Sequence, residues 1–187
     1  MNTVQPPEPI RLRQPNAFDG HQLHQLVQSC PPLDVNSVYC NLLQCSHFAE
    51  TSVVGEAEGQ LACAISGYLV PARPDTLFIW QVAVAEGARG QGVAGKMLAH
   101  ILARPACSGV RYLETTVTNS NRASWALFEG FARRFDAELS RSEMFESQLH
   151  FAGAHETEVL ARIGPLPDVT AEQTNTTDTN TALEKSA

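Results

Sequence analysis

The stretch Leu77–Leu102 limits the possible folds of this chain more than any other. Leu77-Phe78-Ile79-Trp80-Gln81-Val82-Ala83-Val84 is a short apolar run rich in β-branched and aromatic residues, the profile of a mostly buried strand. Arg89-Gly90-Gln91-Gly92-Val93-Ala94 follows, and Gly95–Leu102 then continues as a helix. Val93, Met97, Leu98, Ile101 and Leu102 recur at helical spacing and mark its buried face. Residues without a β-carbon at 90 and 92 let the backbone approach a ligand closely and aim its N–H groups at it. The helix start adds partial positive charge, so the segment is expected to cradle an anion, above all a phosphate group of a cofactor.

Gly90-Gln91-Gly92-Val93-Ala94-Gly95 satisfies the dinucleotide pattern G-x-G-x-x-G, and Glu114 stands near the place of the ribose-binding acid. That pattern leaves its strand almost at once, whereas here Ala85–Arg89 intervene. A Rossmann domain also needs further βα units, and too little chain follows Val117 to supply them. Arg-x-x-Gly-x-Ala at 89–94, after an apolar strand and before a helix, instead resembles the acetyl-CoA pyrophosphate loop of the GNAT acetyltransferases.

At 187 residues the chain suits one domain with a proper core, and 43% apolar with 18% charged residues is ordinary for a globular protein. A formal charge of -7 argues against nucleic acid as partner, because phosphate contacts need a basic face. Cys30, Cys40, Cys45, Cys63 and Cys107 are odd in number and lack C-x-x-C pairing, so reduced thiols and no metal site are expected. Met1–Pro9 does not read as a signal peptide, and no apolar run approaches the ~20 residues that cross a bilayer. A soluble, cytoplasmic protein is the expectation.

Along the chain, Ile10–Arg13 predicts a first strand, and Asp19 an N-cap for a helix to Ser29 buried through Leu23, Leu26 and Val27. Cys30-Pro31-Pro32 ends it. Leu33–Cys40 enters a second helix with Val38, Leu42, Leu43 and Phe48 as its apolar stripe. Thr51–Gly55 and Leu61–Val70 predict two antiparallel strands turning at Glu56–Gly59, and Pro71–Asp75 a connector to the central strand. Beyond the central helix, Val110–Val117 predicts a strand, and Asn119–Arg122 opens a helix carrying Ala123, Ala126, Leu127 and Phe128. Residues 136–157 suggest a short helix or loop packed through Met144, Phe145, Leu149 and Phe151, with Glu158–Ile163 as the last strand. The domain is expected over 10–166, between a flexible start at 1–9 and a disordered polar tail at 167–187.

This order of elements is that of the GNAT family. The resemblance implies an α/β (α+β) fold: a mixed, mostly antiparallel sheet of about six to seven strands, splayed near its centre and flanked by helices. Cys30–Tyr39, Pro74–Val84 and Tyr112–Thr118 resemble more narrowly the L-2,4-diaminobutyrate acetyltransferases of ectoine biosynthesis. That likeness implies acetyl-CoA as co-substrate, no metal, a homodimer, and transfer of acetyl to the γ nitrogen of L-2,4-diaminobutyrate. Another small amine or diamine is the alternative acceptor, and an acyl-CoA sensor without catalysis a further rival.

The same resemblance implies that Val82, Ala83 and Val84 hold the pantetheine arm through backbone groups. An N–H near Val82 would polarise the thioester oxygen. Arg89, Gly90, Gln91, Gly92, Val93, Ala94 and Gly95 would hold the pyrophosphate, and Asn121 fits the family's cofactor-side asparagine. Seven residues on, Phe128 stands where many members carry a proton-donating tyrosine, which leaves Tyr39 as a weak substitute. A diamine calls for carboxylates and an aromatic wall, which Asp34, Glu114 and Glu158 with Trp80 and Tyr39 would supply. Glu114, an acid in a buried-looking strand, is the first candidate base through a raised pKa, and His155 the second. The plainer alternatives are an N-cap for Asp34, solvent-facing strand positions for Glu114 and Glu158, core for Trp80 and surface for His155.

Overall fold

The computed structural model describes residues 9–167. The expected flexible start and polar tail fall outside them, except for residues 9 and 167. The chain divides into two compact units, one running up to Leu69 and resuming over Phe78–Ile101, the other made of Val70–Leu77 and the chain from Leu102. Seven strands form a sheet in the order β1-β2-β3-β4-β5-β7-β6.

The first unit opens with β1 (Arg11–Arg13), α1 (Gly20–Gln28) and α2 (Val38–Ser46), followed by β2 (Val53–Ala57) and β3 (Gln60–Val70). β1 pairs antiparallel with β2, and β2 with β3. Leu23, Leu26 and Val27 are buried on α1 as their spacing requires. Asp19 precedes α1 but makes no capping bond there; its carboxylate takes two bonds from Arg13, at 2.8 and 2.7 Å. On α2 the fully buried side chains are Asn41, Gln44 and Cys45; of the expected stripe Leu42, Leu43 and Phe48 are half-buried and Val38 is exposed. The two polar residues are bonded inside: Asn41 Nδ2 donates to Gln44 Oε1 at 2.8 Å, and Asn41 Oδ1 lies 3.2 Å from His24 Nδ1, while Gln44 Nε2 has no hydrogen-bond partner among the described residues.

Pro71–Asp75 is not a connector. β4 runs over Arg73–Val84, so only Pro71 and Ala72 separate it from β3, and the turn between β2 and β3 is likewise short, at Glu58–Gly59. α3 (Val93–Leu102) follows, with Met97, Leu98 and Ile101 fully buried, each such side chain contributing about 1.5–3 kcal/mol. Chain from β4 reaches β5 through this helical crossover, the connection that parallel neighbours need, so the sheet is mixed.

The second unit is built on β5 (Tyr112–Thr118), α4 (Arg122–Arg134), β6 (Leu139–Phe145), the short α5 (Ser147–Phe151) and β7 (Glu158–Ile163). β7 pairs antiparallel with both β5 and β6. α4 buries Trp125, Phe128, Phe131 and Ala132, while the expected Ala123 and Ala126 face solvent, because the large rings decide which stripe turns inward. β6 is a strand where the sequence suggested helix or loop. It is an edge strand with all but Leu139 exposed, so burial left no period in its residues.

Candidate active site

In the first unit the glycine turn has the expected geometry. Gly90 and Gly92 sit at φ 74° and 67°, a left-handed conformation that strains residues with a β-carbon. A Cβ at either would meet nothing within 4 Å, so the backbone path, not crowding, calls for glycine. The first intrahelical bond of α3 runs from Lys96 N–H to Gly92 O at 3.2 Å. The amides of Val93, Ala94 and Gly95 lie in the turn before it, where a helix leaves N–H groups without intrahelical acceptors, the arrangement that receives an anion. Gln91 ties the turn to its entry by donating to Gly87 O at 2.9 Å. Arg89 is fastened to the end of β4, its Nε donating to Val84 O at 3.0 Å, while the Cys30 thiol donates to the same carbonyl at 3.4 Å. Both lone pairs of the Val84 carbonyl are thereby engaged, a restriction on the backbone expected to hold an acyl carrier's arm.

Trp80 is 42% exposed on β4, which sets aside a core role. It meets the ring of Tyr68 edge-on at 6.4 Å, and Tyr68 also packs on Phe78 and Phe48 at 5.3 and 5.7 Å. Tyr39, at the second position of α2, is 70% exposed. Asp34 does not cap α2: the helix begins at Val38, and the Ser37 hydroxyl takes that role by accepting from Cys40 N–H at 3.1 Å. Asp34 lies exposed in the preceding segment, held through its carbonyl by Gln81.

In the second unit Glu114 overturns one expectation. Its side chain is almost fully buried, and burial alone would raise its pKa. The hydrogen bonds and charges of Arg73 and Arg162 outweigh burial and hold the carboxyl below the usual range. Arg73 grips it with two bonds at 2.5 and 2.8 Å, Arg162 adds a third, and the Arg162 guanidinium stacks 3.8 Å above Tyr112. A carboxylate so paired is a poor proton acceptor and has little charge left for an ammonium. Sequence reading missed Arg73 and Arg162; the pairing of Glu114 with Arg162 across β5 and β7 is the feature that identifies one of them.

Glu158 and His155 form the other constellation. His155 Nδ1 lies 2.8 Å from the carbonyl of Glu156. A carbonyl only accepts, so Nδ1 carries hydrogen, and in the neutral ring Nε2 is an acceptor. That nitrogen stands 3.9 Å from Glu158 Oε1. The other carboxylate oxygen, Oε2, is shielded from solvent and has no hydrogen-bond partner among the described residues. The shielded Oε2, left without a hydrogen-bond partner among the described residues, is a place for a cationic N–H donor. Phe151 packs on the imidazole at 4.8 Å and limits its movement.

Two expected cofactor contacts are altered. Asn121 caps α4, its Oδ1 accepting from Ser124 N–H at 3.1 Å, which leaves its amide nitrogen as the group to offer a ligand. Phe128 is 2% exposed in the core of α4 and presents no surface to one. Burial pushes the Cys45 thiol up to about 12 and the Cys63 thiol to about 11, so neither is an available nucleophile for carrying an acyl group. No group of three or more His, Cys, Asp or Glu side chains is placed to hold a metal ion among the described residues.

The family model described as "Acetyltransferase (GNAT) family" matches residues 20–131, a span that includes the glycine turn and both flanking strands. The chain belongs to the GNAT acetyltransferases. Its fold and its family therefore make it an acyltransferase, and the dinucleotide reading falls. Within the GNAT family, the chain is 54% identical over 162 residues to L-2,4-diaminobutyric acid acetyltransferase of Methylotuvimicrobium alcaliphilum, covering 87% of this chain and 94% of the relative. It is 44% identical to the protein of that name from Halomonas elongata, covering 84% of this chain and 82% of the relative. A solved structure, diaminobutyrate acetyltransferase from Paenibacillus lautus in complex with its substrate L-2,4-diaminobutyric acid and coenzyme A, superposes with a TM-score of 0.82 at 39% identity. That likeness covers 86% of this chain and 96% of the other.

Proposed function

We propose that this GNAT enzyme transfers the acetyl group of acetyl-CoA to the γ nitrogen of L-2,4-diaminobutyrate, giving N4-acetyl-L-2,4-diaminobutyrate for ectoine synthesis. The observation that carries the reading is the Glu158 carboxylate, whose Oε2 is shielded from solvent and has no hydrogen-bond partner among the described residues, a place that suits an ammonium group. Nearly full-length similarity to diaminobutyric acid acetyltransferases narrows the acceptor to that diamine.

The amine reaches the site protonated and is nucleophilic only after losing that proton, which Glu158 accepts with His155 beside it. The freed nitrogen then bonds to the thioester carbonyl carbon, the carbon–sulfur bond breaks, and its electron pair leaves on sulfur. Phe128 has no proton to give that sulfur, so water or the exposed Tyr39 hydroxyl protonates it. Amides of Val93, Ala94 and Gly95, with the turn at Gly90–Gly92, receive the pyrophosphate, and the β4 backbone at Val82–Val84 receives the pantetheine arm. Asp34, with Trp80 and Tyr39 as aromatic walls, holds the α-ammonium and so favours the γ nitrogen as nucleophile. Incubation with acetyl-CoA and L-2,4-diaminobutyrate, followed by NMR of the product, is expected to show acetyl on the γ nitrogen. Labelling mainly at the α nitrogen, or none, would refute the assignment, and faster turnover of a simple diamine would favour the other acceptor.

The enzyme is further read as a cytoplasmic homodimer. Its cysteines form no disulfide among the described residues, which suits a reducing compartment. The outer edge of β6 carries exposed Met144 and Phe145, with exposed Leu149 just beyond on α5, and its charges are self-complementary. Antiparallel pairing of two copies about Ser142 sets Arg141 of one opposite Glu143 of the other, an isologous contact. Sedimentation is expected to give twice the 20.3 kDa chain mass, and Glu143→Arg to shift the protein toward monomer. A monomeric parent would overturn the dimer, and a dimer indifferent to E143R would overturn the β6 contact.

A further inference from the structure

Gln81 lies on β4 between Trp80 and Val82 and spends both ends of its amide on a single distant segment. Its Nε2 donates to the carbonyl of Asp34 at 2.6 Å, and its Oε1 accepts from Asn36 Nδ2 at 3.2 Å. The segment Asp34–Ser37 has no regular secondary structure between the end of α1 and the start of α2. It is exposed around Val35, which is 54% exposed, so packing does little to fix its place. The amide does so instead. An amide is polar at both ends, and this one meets an acceptor with its nitrogen and a donor with its oxygen, which fixes its own orientation as well.

We infer that Gln81 is a positioning residue for the acceptor substrate, fixing the Asp34–Ser37 segment against β4, the strand that carries Trp80. The inference rests on the proposed diamine acetylation, in which Asp34, Tyr39 and Trp80 contact the substrate. Asp34 is the residue whose carbonyl is gripped, and Tyr39 stands in the first turn of the helix that the segment leads into. The exposed ring of Trp80 stands on the same strand as the grip. The amide therefore sets where the acid stands relative to the aromatic wall. Its two hydrogen bonds go to Asn36 and Asp34 rather than to residues 89–95, so its effect belongs to the acceptor and not to the acyl donor.

The test is steady-state kinetics of Gln81→Met, of Asn36→Leu and of the double variant, with both substrates varied. Methionine keeps the length of the side chain and removes both hydrogen bonds. Q81M is expected to raise KM for L-2,4-diaminobutyrate about tenfold, while kcat and KM for acetyl-CoA stay within about twofold. N36L is expected to raise the same KM by a smaller factor, and the double variant to match Q81M, because the two residues act through one amide. A role in stability alone would lower the active fraction and leave KM unmoved, and that outcome overturns the inference. An equal rise in KM for acetyl-CoA, or additive effects in the double variant, overturns it too. Should Q81M fail to fold, N36L alone decides by the same KM comparison. A parent enzyme that does not acetylate the diamine would defeat the underlying functional reading, whereas an active parent with an indifferent Q81M defeats the role of Gln81 alone.

Discussion

Replacing Glu158 by Gln is expected to lower kcat/KM for L-2,4-diaminobutyrate by about 10²- to 10⁴-fold, the usual worth of a general base. Affinity for acetyl-CoA, read by calorimetry, should stay within about twofold of the parent. Glutamine preserves the shape of the side chain, so packing on β7 survives and the loss reports chemistry. The carboxylate has one oxygen 3.9 Å from His155 Nε2 and the other shielded and unbonded. Such an oxygen is costly to hold unless a cation visits it. An amide in its place neither attracts the ammonium nor takes its proton. Near-normal turnover by E158Q would move the proton acceptor elsewhere.

How much of this was legible in the sequence depends on how local each cause is. The turn at 89–95 was readable because a left-handed φ is a property of one residue, and Gly90 and Gly92 declare it. α1 and α3 were readable because their buried faces are apolar at helical spacing. On α2 the helix was legible but only part of its inward face, since Asn41 and Gln44 are also inside, bonded to each other and Asn41 to His24. β6 was missed for the opposite reason: an edge strand exposed almost throughout carries no alternation, and only its pairing with β7 makes it a strand.

The site divides the same way. Glu158, His155, Trp80, Tyr39 and Asp34 could be named from residue type and resemblance, and Trp80 and Tyr39 do stand open to solvent. The surroundings of Glu114 could not be named. Its partners come from positions 73 and 162, brought together by strand pairing, and without them burial is the only visible influence on its pKa. Desolvation alone raises a carboxyl pKa, so a sequence showing only an acid in an apolar strand points in the wrong direction. The grip of Gln81 on Asp34, 47 residues away in the chain, was hidden for the same reason.

Replacing Glu114 by Ala is expected to destabilise the fold by about 2–3 kcal/mol and to lower Tm by roughly 5–10 °C. Breaking a buried ion pair by removing one partner costs about 3–5 kcal/mol, because the other charge is left uncompensated. Here the Arg73 and Arg162 side chains are 45% and 30% exposed, so water screens them and the lower figure applies. The loss should also depend on pH. With the folded pKa held below that of the unfolded chain, the contribution of Glu114 is fully present above the ordinary carboxylate range and fades as pH falls through the folded value. Thermal denaturation of parent and Glu114→Gln should therefore show a constant gap from about pH 6 to 8 that narrows below about pH 4. A gap that widened on acidification would mean a raised pKa and would return Glu114 to the list of candidate bases. A narrowing gap leaves Glu114 as the residue that pins two guanidiniums to the sheet.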